Sequence, residues 1–323
     1  MKVLYVTNMY PVAGNPNQGI FVKEQVDAIN RVEPIQYDVF LIQGKAGLGS
    51  VGPYLKSIYE IPRVIRQKHY DLVHIHYGLS GLYSLFSHVD IPCVITLHGG
   101  DIQIEQGKKV QVALTKHILR HCDLAITLNS KMDAIVSKYI GNTQIIPCGI
   151  NEDLFKPCER EDPSRQKQVN ILFPSSRQRY VKDFPLYESA CNIIRNKYNV
   201  NVKEYYLEHL SREEVAKLYQ SMDLMLMTSI SEGSPQVVKE AMATDLPVVS
   251  TNVGDVSVLL EGVQNSYVAN SRAPQELADL CIKSLFEKQD YILSPSMKIK
   301  KMGLDNTSVA KRILSKYHEL LGK

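Results

Sequence analysis

Two glutamates, Glu232 and Glu240, stand eight positions apart in the stretch Ser229–Gly254, SISEGSPQVVKEAMATDLPVVSTNVG. Glu232 follows an apolar run, Leu224–Thr228, that reads as a buried strand, and Glu240 sits on the helix opened by the turn Gly233-Ser234-Pro235. Ser234 can cap that helix and Pro235 suits its first position, where a missing N–H costs nothing. Gln236 and Val237 then offer backbone N–H groups to an anion. This order puts two carboxylates and a helix N-terminus at the C-terminal edge of a parallel sheet, where open α/β folds bind ligands. The carboxylates could hold hydroxyl groups on either side of a bound diphosphate. A second set, Ser175-Ser176-Arg177-Gln178-Arg179-Tyr180-Val181-Lys182, directly follows the strand Val169–Phe173 and so reaches the same kind of edge. Arg177 offers planar paired donors for phosphate, and Lys182 a mobile point charge. Plainer readings exist: Glu240 as a surface charge, Glu232 as a helix-dipole acid, the basic segment as a solvated loop. Their common placement at strand ends favours a phosphate site.

The first half carries a weaker set. Strand Lys2–Thr7 leads into Asn8-Met9-Tyr10-Pro11, with Gly14 and Gly19 before a helix at Val22–Asn30. A glycine there can let a phosphate approach the backbone. There is no GxGxxG run after this strand and no GxxxxGK[ST] loop in the chain, which argues against a nicotinamide dehydrogenase and a P-loop nucleotidase. His98 ends the strand Cys93–Leu97 and is followed by two glycines and Asp101, an exposed setting for an imidazole. His74 and His76 share one face of the strand Leu72–His76, and a metal site would need a third ligand. No Asp-x-Asp pair occurs, so no metal is expected to clamp a diphosphate.

Positioning these groups requires alternating strands and helices. Strands are expected at Lys2–Thr7, Tyr37–Ile42, Leu72–His76, Cys93–Leu97, Leu124–Leu128 and Gln144–Pro147. Helices are expected at Val22–Asn30, Tyr54–Arg66, Val110–Arg120 and Lys131–Tyr139. The pattern pauses over Pro147–Lys167, a stretch rich in proline and charge, and restarts with strands near Val169–Phe173, Val200–Leu207, Leu224–Thr228 and Pro247–Thr251. Helices there are Leu186–Lys197, Glu213–Gln220, Pro235–Ala243 and Pro274–Phe286, and an amphipathic helix, Ser308–Leu321, closes the chain. The alternation predicts parallel sheets with helices on both faces, and the length of 323 residues suits two domains. A hydrophobic fraction of 44% with 22% charge is that of a globular protein, and a net charge of +3 is too small to argue for nucleic acid. Six scattered cysteines lack metal-type spacing and read as free thiols. No run approaches the ~18 apolar residues of a membrane span, so a cytoplasmic protein is expected. Arg63, Arg66 and Lys68, with Lys108, Lys109, Lys116 and Arg120, could give the first domain a basic face for peripheral contact with an anionic membrane.

Together these motifs resemble the retaining glycosyltransferases of the GT4 family, which have the GT-B fold: two Rossmann-like domains with parallel sheets facing across a cleft. The likeness spans nearly the whole chain. MKVLYVTNMYP with Gly19 resembles the family's opening strand and donor-side loop, and DLVHIHY with VITLHGGDI its paired histidine segments. IIPCGINEDLFKP resembles its inter-domain linker, Arg177 with Lys182 its diphosphate segment, and SEGSPQVVKEAMATDLPVVSTNVGD its E-x7-E block. The resemblance implies an N-terminal acceptor-side domain over 1–150, a donor-side domain over 151–305, and a last helix, 306–323, returning to the first. It implies that Glu240 binds the donor's ribose and Glu232 faces its sugar. Arg177 and Lys182 would hold the diphosphate leaving group, the backbone from Gly233 would contact sugar and phosphate, and His98 would lie near sugar and acceptor. The implied reaction moves a sugar from a nucleotide-sugar to a glycan or lipid-linked acceptor in surface polysaccharide or glycolipid synthesis, with no cofactor or metal. Departures are visible: Ser175-Ser176 replaces the family's glycine, Gly-Ser-Pro replaces Gly-Phe-Gly, and Val258 stands where an acid is common. A nucleotide-sugar epimerase and a non-catalytic sugar-nucleotide binding partner remain as alternatives. Donor, acceptor, linkage and oligomeric state stay open.

Overall fold

The computed structural model describes residues 1–15, 17–43, 51–103, 109–159, 163, 168–287 and 293–322. The chain divides into two units, Met1–Gly149 with Asn306–Lys323, and Ile150–Asp305. The first unit runs β1 Lys2–Thr7, α1 Ile20–Val32, β2 Gln36–Leu41, α2 Val51–Lys68, β3 Leu72–His76, β4 Cys93–Thr96, α3 Lys109–Ile118, β5 Leu124–Thr127, α4 Ser130–Val136 and β6 Thr143–Ile145. The second runs β7 Val169–Phe173, α5 Phe184–Tyr198, β8 Val202–Tyr206, α6 Arg212–Gln220, β9 Leu224–Met227, α7 Gln236–Ala243, β10 Val248–Thr251, α8 Val256–Leu260, β11 Tyr267–Ala269, α9 Pro274–Phe286 and α10 Pro295–Lys301. The chain then ends in α11, Asn306–Leu320, which belongs to the first unit.

Among the described residues the first sheet is ordered β2-β1-β3-β4-β5-β6 and the second β11-β10-β9-β7-β8. Every pairing is parallel. Parallel strands are covered on both faces, so they read as continuous apolar runs, as LMLM of β9 does. In β1, Leu4 and Val6 enter a core with Ile61 and Ile65 of α2. Val3 and Tyr5 point the other way, to a core with Val26 and Ile29 of α1 and Ile313, Leu314 and Tyr317 of α11. Each such fully buried side chain contributes roughly 1.5–3 kcal/mol over its exposed state.

Strand order reverses beside β1 in the first sheet and beside β7 in the second. Such switch points leave a crevice outside the strands' carboxyl ends. They direct attention to the loops after β1, β3 and β4 in one unit, and after β7 and β9 in the other.

Several short elements lie where no strand or helix was expected: α8, α10, β11 and a 3-10 stretch, Gly78–Leu85. The helices α8 and α10 and the strand β11 are too short for periodicity to register. All six cysteines are free.

Candidate active site

The loop after β7 runs from Pro174 to a 3-10 turn, Tyr180–Lys182, which ends at Asp183 in the left-handed region with φ 50°. Asp183 caps α5, accepting the Leu186 N–H at 3.4 Å, with Pro185 in the helix's first turn. The cap fixes where the preceding residue, Lys182, emerges. Lys182 is 7% exposed, and its Nζ pairs with Glu232 Oε1. The same Oε1 accepts the Ser229 hydroxyl at 2.7 Å. The two loops are also sewn through backbone: Ile230 N–H donates to Val181 O at 2.8 Å, and the Thr228 hydroxyl lies 2.9 Å from the carbonyls of both Lys182 and Asp183. The basic segment and the first glutamate, fifty positions apart in sequence, thus form one structure at neighbouring strand ends.

Arg177 stands at the rim. Its backbone N–H and its Nε both donate to Glu208 Oε1, at 2.9 and 3.3 Å, and its guanidinium lies 4.7 Å from the Tyr206 ring centroid. The pairing raises the arginine's pKa and lowers that of Glu208. Arg177 does not bond Lys182 or Glu232 here; it faces the end of β8 instead.

Ser234 and Pro235 depart from expectation. Pro235 is the N-cap of α7, not its first helical residue, and no side chain caps the helix. Ser234 is buried and faces Asp255, whose carboxyl is raised by burial and lowered in part by Lys239 and Ser234. The helix's own bonding begins with Val238 N–H to Pro235 O, so the amides of Gln236 and Val237 come before it. Gly233 is pinned from outside: a side chain at Gly254, where φ is +58°, would meet Gly233 O at 2.4 Å. Only glycine at 254 allows the loop carrying Glu232 to close on the loop after β10.

Glu240 is buried on α7. Its Oε1 accepts from Arg212 Nη1 at 2.8 Å and its Oε2 from the Tyr219 hydroxyl at 3.2 Å. Arg212 opens α6 behind a capping box in which Ser211 and Glu214 bond each other's backbone, and its guanidinium lies 4.8 Å from the Phe155 ring centroid. Each carboxylate oxygen has a second lone pair, so a ligand hydroxyl can bond Glu240 without displacing Arg212. Sequence reading missed Arg212, Tyr219 and Glu208. The Ser-x-x-Glu box after β8 was the available signal for Arg212, since it sets a helix start at the same sheet edge.

In the first unit His98 lies at the end of β4. Its Nε2 is 3.3 Å from His76 Nδ1, its Nδ1 is 3.9 Å from Cys148 Sγ, and its ring packs on Phe21 at 4.9 Å. The turn is held by buried Asp101, which accepts N–H bonds from Gly78, His98 and Gly99 at 3.0–3.1 Å. Burial pushes that carboxyl up to about 6, against the opposing pull of those N–H groups. His74 is bonded to Tyr317 at 2.5 Å and Thr96 at 2.7 Å, and burial, then His98, lowers it to about 3. His76 is likewise driven down by burial and its neighbours. These two rings are neutral core groups. Among the described residues no group of three His, Cys, Asp or Glu could hold a metal. Gly19 is the left-handed N-cap of α1, and a side chain there would meet the Met9 backbone at 2.3 Å. Its smoothness is used by the chain's own loop.

Two family profiles match the chain. Residues 26–154 match the family described as Glycosyltransferase Family 4, and residues 188–286 match Glycosyl transferases group 1. The chain belongs to these glycosyltransferases. Over 342 aligned residues this glycosyltransferase is 22% identical to the putative teichuronic acid biosynthesis glycosyltransferase TuaC of Bacillus subtilis, covering 86% of this chain and 88% of that protein. It is 23% identical to the UDP-Gal:alpha-D-GlcNAc-diphosphoundecaprenol alpha-1,3-galactosyltransferase of Escherichia coli, over 64% of each. Sucrose-phosphate synthase from Thermosynechococcus elongatus superposes with TM-score 0.78 at 17% identity, over 99% of both chains. Anabaena HepE, solved with UDP-glucose, superposes with TM-score 0.71 at 17% identity, over 99% of this chain and 100% of that one. The glycosyltransferase therefore has the GT-B fold of two parallel-sheet α/β domains.

Proposed function

We propose that this glycosyltransferase takes a nucleoside-diphosphate sugar on its second unit and transfers the sugar, with retention, to a hydroxyl of a glycan or lipid-linked acceptor in surface-polymer synthesis. The observation that carries the reading is the meeting of Lys182 and Glu232 at neighbouring strand ends, just ahead of the N-terminus of α7. Cationic and N–H donors there are aimed where negative charge develops as a diphosphate departs, and they stabilise that charge more than the intact donor. Glu240 would take the ribose hydroxyls, and Glu232 the sugar. The relatives named for teichuronic acid and for a diphosphoundecaprenol-linked acceptor support the acceptor class. In the step, the anomeric carbon–phosphate oxygen bond breaks with its electron pair going to the diphosphate. The acceptor oxygen bonds the same face of the anomeric carbon, and its proton passes to the departing phosphate oxygen. Incubation with UDP-, GDP- and ADP-sugars after exhaustive chelation is the test. Release of nucleoside diphosphate from one of them, with the donor's anomeric configuration kept in the product, is the expected result. Loss on chelation with rescue by Mn²⁺ or Mg²⁺, or an inverted product, would contradict the reading.

The acceptor class also calls for contact with a bilayer, and α2 suits it. No helix of the described residues is long and apolar enough to cross a membrane. Val51, Leu55 and Tyr59 are exposed along one stripe of α2, Tyr59 to 80%, and Arg63 and Arg66 continue the same stripe. Apolar and basic residues sharing one exposed helix face favour an anionic lipid surface. The other basic residues contribute less: Lys68 pairs with Asp38 at 3.2 Å, Lys116 and Arg120 lie against the Tyr139 ring, Lys109 is exposed on α3, and Lys108 falls outside the described residues. The protein should float with phosphatidylglycerol vesicles and not with neutral ones, and Leu55→Glu with Tyr59→Glu should abolish this. Equal recovery with both vesicle types would refute the contact.

A further inference from the structure

The loop after β11 carries an arginine that the donor-site reading leaves unused. Arg272 reaches past β10 to the ends of β9 and β7. Its Nη1 donates to Ser229 O at 2.8 Å, and its Nη2 donates to Thr228 O at 2.9 Å and to Asp183 Oδ2 at 2.5 Å. These acceptors adjoin the groups that matter. Ser229 places its own hydroxyl on Glu232, Thr228 holds the Lys182 carbonyl, and Asp183 follows Lys182 in the chain. The Ser229 carbonyl is steadied further by the Thr251 hydroxyl at 2.8 Å. Arg272 is itself presented rigidly. Glu276, in the first turn of α9, accepts the N–H groups of Asn270 at 2.7 Å and Ser271 at 3.0 Å, which locks the loop just before it.

We propose that Arg272 is a positioning residue for the transfer step: one guanidinium braces the Lys182 loop and the Glu232 loop from behind, fixing the distance between the phosphate cation and the sugar-facing carboxylate. This rests on the donor-site reading above. A planar fork donates from two nitrogens held at a fixed separation, so it can span two carbonyls and a carboxylate that a single ammonium point does not bridge in the same way. Arg272 also neutralises the Asp183 carboxylate, which would otherwise stand next to Lys182 as a competing anion for its charge. Its side chain is 40% exposed, so the position is open to solvent.

The test is a double-variant cycle measured with whichever of the UDP-, GDP- and ADP-sugars the native protein turns over fastest. Arg272→Ala should lower kcat by about 10²-fold, the cost of a misplacement near 1 Å at a reacting centre, with little change in KM. Arg272→Lys should fail to restore it, whereas millimolar guanidinium, entering the vacated position, should restore part of it. In a Lys182→Ala background the same Arg272→Ala change should cost almost nothing more, because the group it positions is gone. Additive losses, full activity in Arg272→Lys, or a loss confined to KM would overturn the proposal. So would a fall in kcat explained by unfolding, read from melting curves and absence of guanidinium rescue. Undiminished turnover in Lys182→Ala alone would strike the donor-site reading itself, and this proposal with it.

Discussion

Lys182→Ala should lower turnover by about 10²-fold or more, the scale for removing one donor that stabilises developing charge. Asp183 caps α5 in a left-handed conformation, so the residue before it leaves the 3-10 turn toward the neighbouring strand's loop. There its ammonium meets Glu232, with the lysine side chain 9% exposed and the glutamate side chain 16%. An ammonium so poorly solvated acts on a diphosphate through less screening than one in water. Three rotatable donors let it keep Glu232 while bonding a phosphate oxygen. Removing it also takes the cation from the Glu232 carboxylate, so the group proposed to face the sugar is disturbed as well. Lys182→Arg should recover only part of the rate, since a planar fork cannot reproduce a point charge in the same space. Steady-state kinetics would check this, and near-native kcat in Lys182→Ala would remove the residue from the leaving-group site.

Glu240→Ala should weaken nucleoside diphosphate binding by about 10- to 100-fold, the worth of hydrogen bonds to a charged group at roughly 1.5–3 kcal/mol. The ribose grip proposed for Glu240 acts in ground state and transition state alike, so the effect belongs mainly in binding. The variant also removes the Glu240 carboxylate from Arg212, whose side chain is 17% exposed. Breaking such a pair by removing one partner is costlier than replacing both, so Glu240→Ala with Arg212→Met should melt closer to the native protein than Glu240→Ala does, while binding stays weak. Calorimetry with UDP, GDP and ADP reads the first effect and thermal melts the second. Unchanged affinity for all three nucleotides would refute the ribose assignment.

The sequence disclosed the parts of this enzyme whose pattern repeats. Apolar runs such as LMLM announce buried parallel strands, and the alternation with helices follows from what such strands need on both faces. Arg177, Lys182 and Glu232 could be placed at sheet edges because their loops follow strands directly, and Glu240 because its helix opens from the Glu232 loop. Which of them meet was not legible. The pairing of Lys182 with Glu232 depends on β7 and β9 being neighbours, and strand order is a property of the folded sheet. Arg177 falls beside Glu208 for the same reason, since β8 flanks β7 on its other side. Arg212 and Arg272 were passed over because each is a lone basic residue near a helix start, a setting most surface arginines share. The Pro235 cap was misplaced because Ser-Pro reads equally well as cap plus first residue or as loop plus cap. The short α8, α10 and β11 have too few residues for any period to be counted.

Amide hydrogen exchange with and without a saturating nucleoside diphosphate, using whichever of UDP, GDP and ADP binds tightest, tests the central claim most directly. Slowed exchange is expected in residues 174–183 and 229–240, where Lys182, Glu232, the first turn of α7 and Glu240 lie. Protection confined to residues 1–149, or no protection by any of the three nucleotides, would contradict it.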